Sequence, residues 1–253
     1  MSRFALLLAV VLIAPPAAMA KHHRRRISAL DLVSGATYKP EAFRIRSPFP
    51  CGVKVRVNCS YGPGCSPSHR RTNVVNGPND HYALDLVRAE DPANGYNRAV
   101  VAVASGVVLQ AGWARGGWSP YGKIVYVQHG FRDAEGHRYQ SLYAHLNQVK
   151  VRPGQKIRAG MVIGTLGGSS RHRLGRLGPH LHFALYQDAK QTLGGGRAVL
   201  PEPLGAFREL RPGKTFISCA EPEPAEVAAG DELPPVSPPG FTPAVGGWVE
   251  DSD

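Results

Sequence analysis

Two histidines one residue apart, His180-Leu181-His182, stand where a Gly178-Pro179 turn runs into the alternating stretch 181–186. Such alternation predicts a strand, and residues two apart on a strand share a face. Both imidazoles are therefore expected on one side, with Leu181 and Phe183 turned away. Converging histidines suggest metal chemistry, and a hydrolytic zinc site takes three protein ligands from His, Asp or Glu and leaves one position open. His182 supplies one ligand. Asp85 is a second, because a carboxylate inside Ala83-Leu84-Asp85-Leu86-Val87 needs compensation; a salt bridge to an arginine is its purely structural alternative. For the third, His81 lies four residues before Asp85 on the same strand face, but four extended residues span roughly 13 Å. Both can reach one ion only if the chain bends at His81, and Asn76-Gly77-Pro78-Asn79-Asp80 allows that bend. His69, folding over from Ser68-His69-Arg70 in the long loop, is the alternative; His81 is preferred.

The elements that must position these side chains read as strands. Short apolar or alternating runs at 53–57, 82–87, 99–104, 106–111, 123–129, 137–143, 155–157, 161–166 and 181–186 follow one another closely, separated by Gly-rich turns. No stretch among them keeps a helical period over ten residues. The pattern predicts a mainly β protein, a compact antiparallel barrel or sandwich. The expected organisation is a signal peptide over 1–20, a basic, mostly irregular segment over 21–47, a catalytic domain over 48–220 with its core at 80–187, and an acidic Pro-rich disordered tail over 221–253.

The 253 residues carry 30 Lys and Arg against 19 Asp and Glu, a formal net charge of +11. Eight of the acids fall in the last 33 residues, which contain no Lys or Arg, so the body is more basic than the whole. Such a body favours anionic partners. The start has a basic n-region, a short apolar run and Ala18-Met19-Ala20, the marks of a secretory signal cleaved after Ala20. The run is too short to span a bilayer; because the basic stretch 21–26 opposes translocation, an uncleaved anchor is the alternative. For a secreted or periplasmic protein the anionic partner is a cell-envelope polymer rather than nucleic acid, and a monomer is expected. Cys51, Cys59, Cys65 and Cys219 then imply two disulfides in one of three pairings, a Cys-plus-His zinc site being the competing reading. Pairing Cys59 with Cys65 would leave Cys51 for Cys219. His22, His23, His129, His137 and His172 read as solvent-facing or structural, and Trp113, Trp118 and Tyr121 as either groove-lining or sheet-capping.

Three blocks, His81-Tyr82-Ala83-Leu84-Asp85, Ser141-Leu142-Tyr143-Ala144-His145-Leu146 and Gly178-Pro179-His180-Leu181-His182-Phe183, resemble in type and order the signature blocks of the lysostaphin-type (LytM-like) zinc metalloendopeptidases. The resemblance spans residues 80–187. It implies the family's antiparallel β fold with the site in a groove, one Zn2+ ion, ligands at His81, Asp85 and His182, and catalytic roles for His145 and His180 beside the bound water and the substrate carbonyl. It also implies peptide cross-links or bridges of bacterial peptidoglycan as substrate. One of His180 and His145 would act as base and the other as oxyanion donor, with His180 favoured as base. Two departures stand out: Ala83 replaces a usual glycine, and the loop 168–177 is longer and more basic than usual. Some members take the first histidine from an upstream Ser-His segment, which keeps His69 open. Two other functions fit the same scaffold. One is a non-catalytic peptidoglycan-binding or amidase-activating protein, though such relatives lack a ligand or flanking histidine and none is lost here. The other is a general secreted protease for Gly-rich proteins.

Overall fold

The computed structural model describes residues 37–61, 65, 69 and 79–219. The expected signal peptide, the basic stretch up to residue 36 and the acidic tail lie outside them. Thirteen strands are described: β1 Thr37–Tyr38, β2 Lys54–Cys59, β3 Leu84–Arg88, β4 Ala99–Val101, β5 Gly106–Trp113, β6 Lys123–Arg132, β7 Arg138–Leu146, β8 Gln148–Val149, β9 Lys156–Ile157, β10 Val162–Thr165, β11 Leu181–Gln187, β12 Arg197–Leu200 and β13 Thr215–Ile217. Ten of them form one sheet in the order β13-β2-β3-β11-β7-β6-β5-β9, with β12 on β11 and β1 on β12. A second sheet runs β4-β10-β8. Pairing is antiparallel throughout except for the parallel β1–β12 contact. The mainly β, antiparallel architecture expected from the alternation is what the chain forms. Among the described residues no helix is long and apolar enough to cross a membrane.

The large sheet has two apolar faces. One carries Val55, Val57, Leu84, Leu86, Val125, Val127, Tyr143, Leu181, Phe183 and Leu185, and packs with Val100 and Ile163 of the small sheet into the main core. The opposite face carries a smaller cluster, Ala83, Ile124, Tyr126, Leu142, Ala144, Ala184 and Tyr186. Period-two alternation sorts these residues, so odd positions of β11 feed the main core while His182, Ala184 and Tyr186 share the other side. That second side holds the site.

The lead-in expected to be mostly irregular up to residue 47 forms, among its described residues, only the short strand β1, and it still sends Phe43 and Ile45 into the core. Phe43 stacks on Phe131 at 4.9 Å between ring centroids, and Ile45 and Phe49 are buried beside it. A disulfide from Cys51 to Cys219, with Cα atoms 4.8 Å apart, ties this segment to the last described residue. Cys59 is joined to Cys65.

Candidate metal centre

Strand β11 lies between β3 and β7, and its register sets His182 opposite Asp85 on one side and Ala144 on the other. Directly opposed residues of an antiparallel pair have side chains in contact, and His182 Nδ1 lies 3.1 Å from Asp85 Oδ1. His69 arrives from outside the sheet: its Nδ1–H donates to the Ala83 carbonyl at 3.1 Å, which turns Nε2 toward Asp85 Oδ1 at 3.3 Å. The ligand atoms of His69, Asp85 and His182 all lie within 4.8 Å of one another, a group that could hold a metal ion. His69 and His182 are buried and Asp85 nearly so, and two imidazoles with one carboxylate are the donors that suit zinc in a hydrolytic site. His69 also converges with Cys59 and Cys65, but those sulfurs are bonded to each other and are not available as thiolates.

His81, the preferred third ligand from the sequence, is not in either converging group among the described residues. The reason is a turn. Ala83 N–H closes onto the Asp80 carbonyl at 3.0 Å, and β3 begins only at Leu84, so His81 sits at the corner of the turn with its ring 4.7 Å from Tyr82. The turn aims Asp80 under the site. The geometry therefore brings together the alternative ligand His69, with Asp85 and His182, and leaves His81 aside.

His145 and His180 lie beside the three. Their rings are 4.7 Å apart, and His180 Nε2 is 3.9 Å from Asp85 Oδ1. His180 precedes β11, held by a bridge to Gly167, and shares the face of His182. Each ring is oriented by a backbone carbonyl, His180 Nδ1 to Gly178 at 2.7 Å and His145 Nδ1 to Ser169 at 2.9 Å, so both Nδ1 atoms carry the proton and both Nε2 atoms are acceptors. His145 reaches the site through a bulge. Between the pairs Tyr143–Val125 and Leu146–Lys123, β7 carries one residue more than β6, and His145 has φ 62°, a left-handed value unusual away from glycine. The bulge flips the strand's parity, since Tyr143 and Leu146 both enter the main core. Ser169 repairs the opened ladder: its hydroxyl accepts from Lys123 N–H at 2.8 Å and donates to the Leu146 carbonyl at 2.7 Å.

Tyr121 stands beside the histidines. Its ring is 5.3 Å from His182 and lies parallel to His145 at 6.2 Å. The following Gly122 has φ 66°, and a Cβ there would meet the Ser169 carbonyl at 2.2 Å, so only glycine lets this loop approach. Trp118 packs against the smaller core near Tyr121, and Trp113 stands 5.4 Å from His172 in the exposed basic loop. Sequence reading had missed Asp80, Ser169 and Tyr186. Tyr186 alone left a signal, at four residues from His182 on the same strand face.

The charges interlock. Burial would raise the Asp85 carboxyl, but hydrogen bonds from His182 and His69 hold it well below the usual carboxylate range. Burial would lower His182, yet Asp80 and Asp85 outweigh it and raise its pKa to about 10 without a metal. Burial, then the neighbouring His180 and His182, push His145 down to about 3.

Residues 81–193 match the family model described as peptidase family M23. The peptidoglycan DD-endopeptidase ShyC of Vibrio cholerae is 28% identical over 128 residues, covering 51% of this chain and 24% of the relative. The murein hydrolase activator NlpD of Salmonella dublin is 33% identical over 102 residues, covering 40% of this chain and 23% of the relative. The chain thus spans about a quarter of the length of these curated relatives. The catalytic domain of the antimicrobial peptidase lysostaphin from Staphylococcus simulans shares 22% identity at a TM-score of 0.38, covering 61% of this chain and 92% of that one. The matched stretch contains Asp85, His145, His180 and His182, so residues 81–193 carry the pattern of peptidase family M23.

Proposed function

We propose that this protein is a secreted or periplasmic zinc metalloendopeptidase that hydrolyses peptide cross-links or bridges of bacterial peptidoglycan. The observation that carries the reading is the convergence of His69, Asp85 and His182 within 4.8 Å, with a further pair of imidazoles 4.7 Å apart alongside. His69, Asp85 and His182 would hold a zinc ion, which when bound would supply a water of near-neutral pKa and Lewis-acid polarisation of the scissile carbonyl. His180 accepts the proton of the attacking water and passes it to the leaving amine. Its Nδ1–H is committed to Gly178, leaving Nε2 as acceptor, and Asp85 Oδ1 at 3.9 Å offsets the charge the ring acquires. His145, with Nδ1–H committed to Ser169, orients the attacking water through Nε2. The oxyanion-donor role expected for it would require a second proton on a buried ring, so positioning is the role we assign. The excess of Lys and Arg over acids favours docking on anionic envelope polymers.

A second reading follows from the similarity to a murein hydrolase activator: binding of peptidoglycan without cleavage. Purified sacculi separate the two. The full chain should release soluble muropeptides, stop in the presence of a chelator and resume on addition of zinc; binding without release, indifferent to chelator, would establish the activator reading instead. A Gly-rich protein run in parallel tests for a general protease.

A further inference from the structure

Three side chains converge on the candidate metal position, and one of them, His182, has a second nitrogen. While Nδ1 faces Asp85, Nε2 is buried without a hydrogen bond of its own among the described residues, and Asp80 Oδ1 stands 3.6 Å from it. Asp80 is itself 3% exposed. A carboxylate buried to that degree is costly unless its lone pairs are used. Here Oδ1 accepts from the Tyr186 hydroxyl at 3.0 Å and Oδ2 from the Tyr121 hydroxyl. Tyr186 shares the His182 face of β11, and Tyr121 packs beside His182 and His145. The turn from Asp80 to Ala83, closed by a backbone hydrogen bond of 3.0 Å, delivers the carboxylate to this point.

We infer that Asp80 is the positioning residue of the centre: it holds His182 with the proton on Nε2, so that Nδ1 is the ligand atom, while its other oxygen fixes Tyr121 beside His182. Carboxylates behind ligating histidines set the ring's tautomer and orientation and raise its basicity as a ligand. Nothing else described near His182 Nε2 does this. The two tyrosine hydroxyls keep Asp80 from rotating toward the ligand atoms, which makes it a support and not a fourth ligand.

The inference rests on the zinc reading, and zinc affinity of the full-length protein tests both separately. Affinity is measured by competition with a chromogenic chelator for wild type, Asp80→Asn and Asp80→Ala, alongside the thermal midpoint of each metal-free protein. Asp80→Ala should bind zinc roughly 10–100-fold more weakly, and Asp80→Asn, which keeps the shape and an acceptor oxygen, should fall between. In 15N spectra of the zinc-loaded wild type the His182 ring should show a proton on Nε2, and Asp80→Ala should lose it to exchange with water. A purely structural role would lower the metal-free midpoint and leave the affinity of the folded protein unchanged. Wild-type affinity in Asp80→Asn, together with an unaltered His182 signal, overturns the inference even if Asp80→Ala fails to fold. A wild type that binds no zinc overturns the metal reading itself.

Discussion

At the scale of single residues, the ligand choice is the sharpest question. His69→Ala should abolish tight zinc binding and hydrolysis, whereas His81→Ala should keep its zinc, as read by metal content after dialysis; the reverse result would return the ligand to His81. His180→Ala should retain zinc and lose about 10²–10⁴-fold in muropeptide release, the range for a positioned proton-transfer group, and His145→Ala should retain zinc and lose about 10²-fold, the cost of a misplaced attacking water. Either variant cleaving at near wild-type rate leaves the scheme. Asp85 and His182 were legible because each is a polar residue interrupting an alternating apolar run. His69 and His81 were not separable from sequence: both are histidines within reach of Asp85, and what divides them is a turn at residues 80–83 and a cross-link from Cys59 to Cys65, four residues before His69. Asp80 was illegible for a similar reason, being one acid in a polar loop until the turn buries it. His145 illustrates a conflict at one residue. Its left-handed backbone costs on the order of 1–3 kcal/mol, and asparagine tolerates that conformation better. His145→Asn should therefore be inactive yet at least as resistant to urea as the wild type.

At the scale of elements, nine of the strands were readable from alternation, whereas β1, β8, β12 and β13 were not, each being two to four residues long and lacking a pattern of its own. Tertiary pairing makes them strands. Across β6 and β7, His129 is buried with Nδ1 on the Ser105 carbonyl at 3.0 Å and Nε2 on the Ser141 hydroxyl at 2.9 Å. Burial pushes its pKa to about 4 from an ordinary 6.5. Between those values the unfolded chain binds a proton that the folded one refuses, so this contribution is complete above pH about 6.5 and is lost as pH falls toward 4. From pH 7.5 to 5 the loss is about 2 kcal/mol. In chelator-treated protein His129→Gln should lose that much less between the two pH values, by urea unfolding; equal losses in both proteins would refute the assignment. The loop at Gly122 allows a further test: Gly122→Ala should destabilise the fold by about 1–3 kcal/mol, since its methyl would collide with the Ser169 carbonyl that holds His145.

At the scale of the whole molecule, the Cys51–Cys219 link closes a loop of 168 residues in sequence and clamps the segment from Thr37 onto the end of the described chain. In the chain-entropy account a loop of that length contributes on the order of 3–5 kcal/mol, so a Cys51→Ser, Cys219→Ser double variant should unfold at markedly lower urea while keeping its zinc stoichiometry. The basic excess belongs to this scale too: binding to sacculi should weaken steadily between low and high salt, and a salt-independent isotherm would rule out the electrostatic contribution. The large sheet uses its two faces differently, the main core on one and the centre with its small apolar support on the other. Adaptability follows from that division. Substitutions on the face that carries the centre leave the layer packed around Phe183 and Leu185 untouched, so under the proposed function the surroundings of the site can change by drift on one side of a single sheet while the other side keeps the fold.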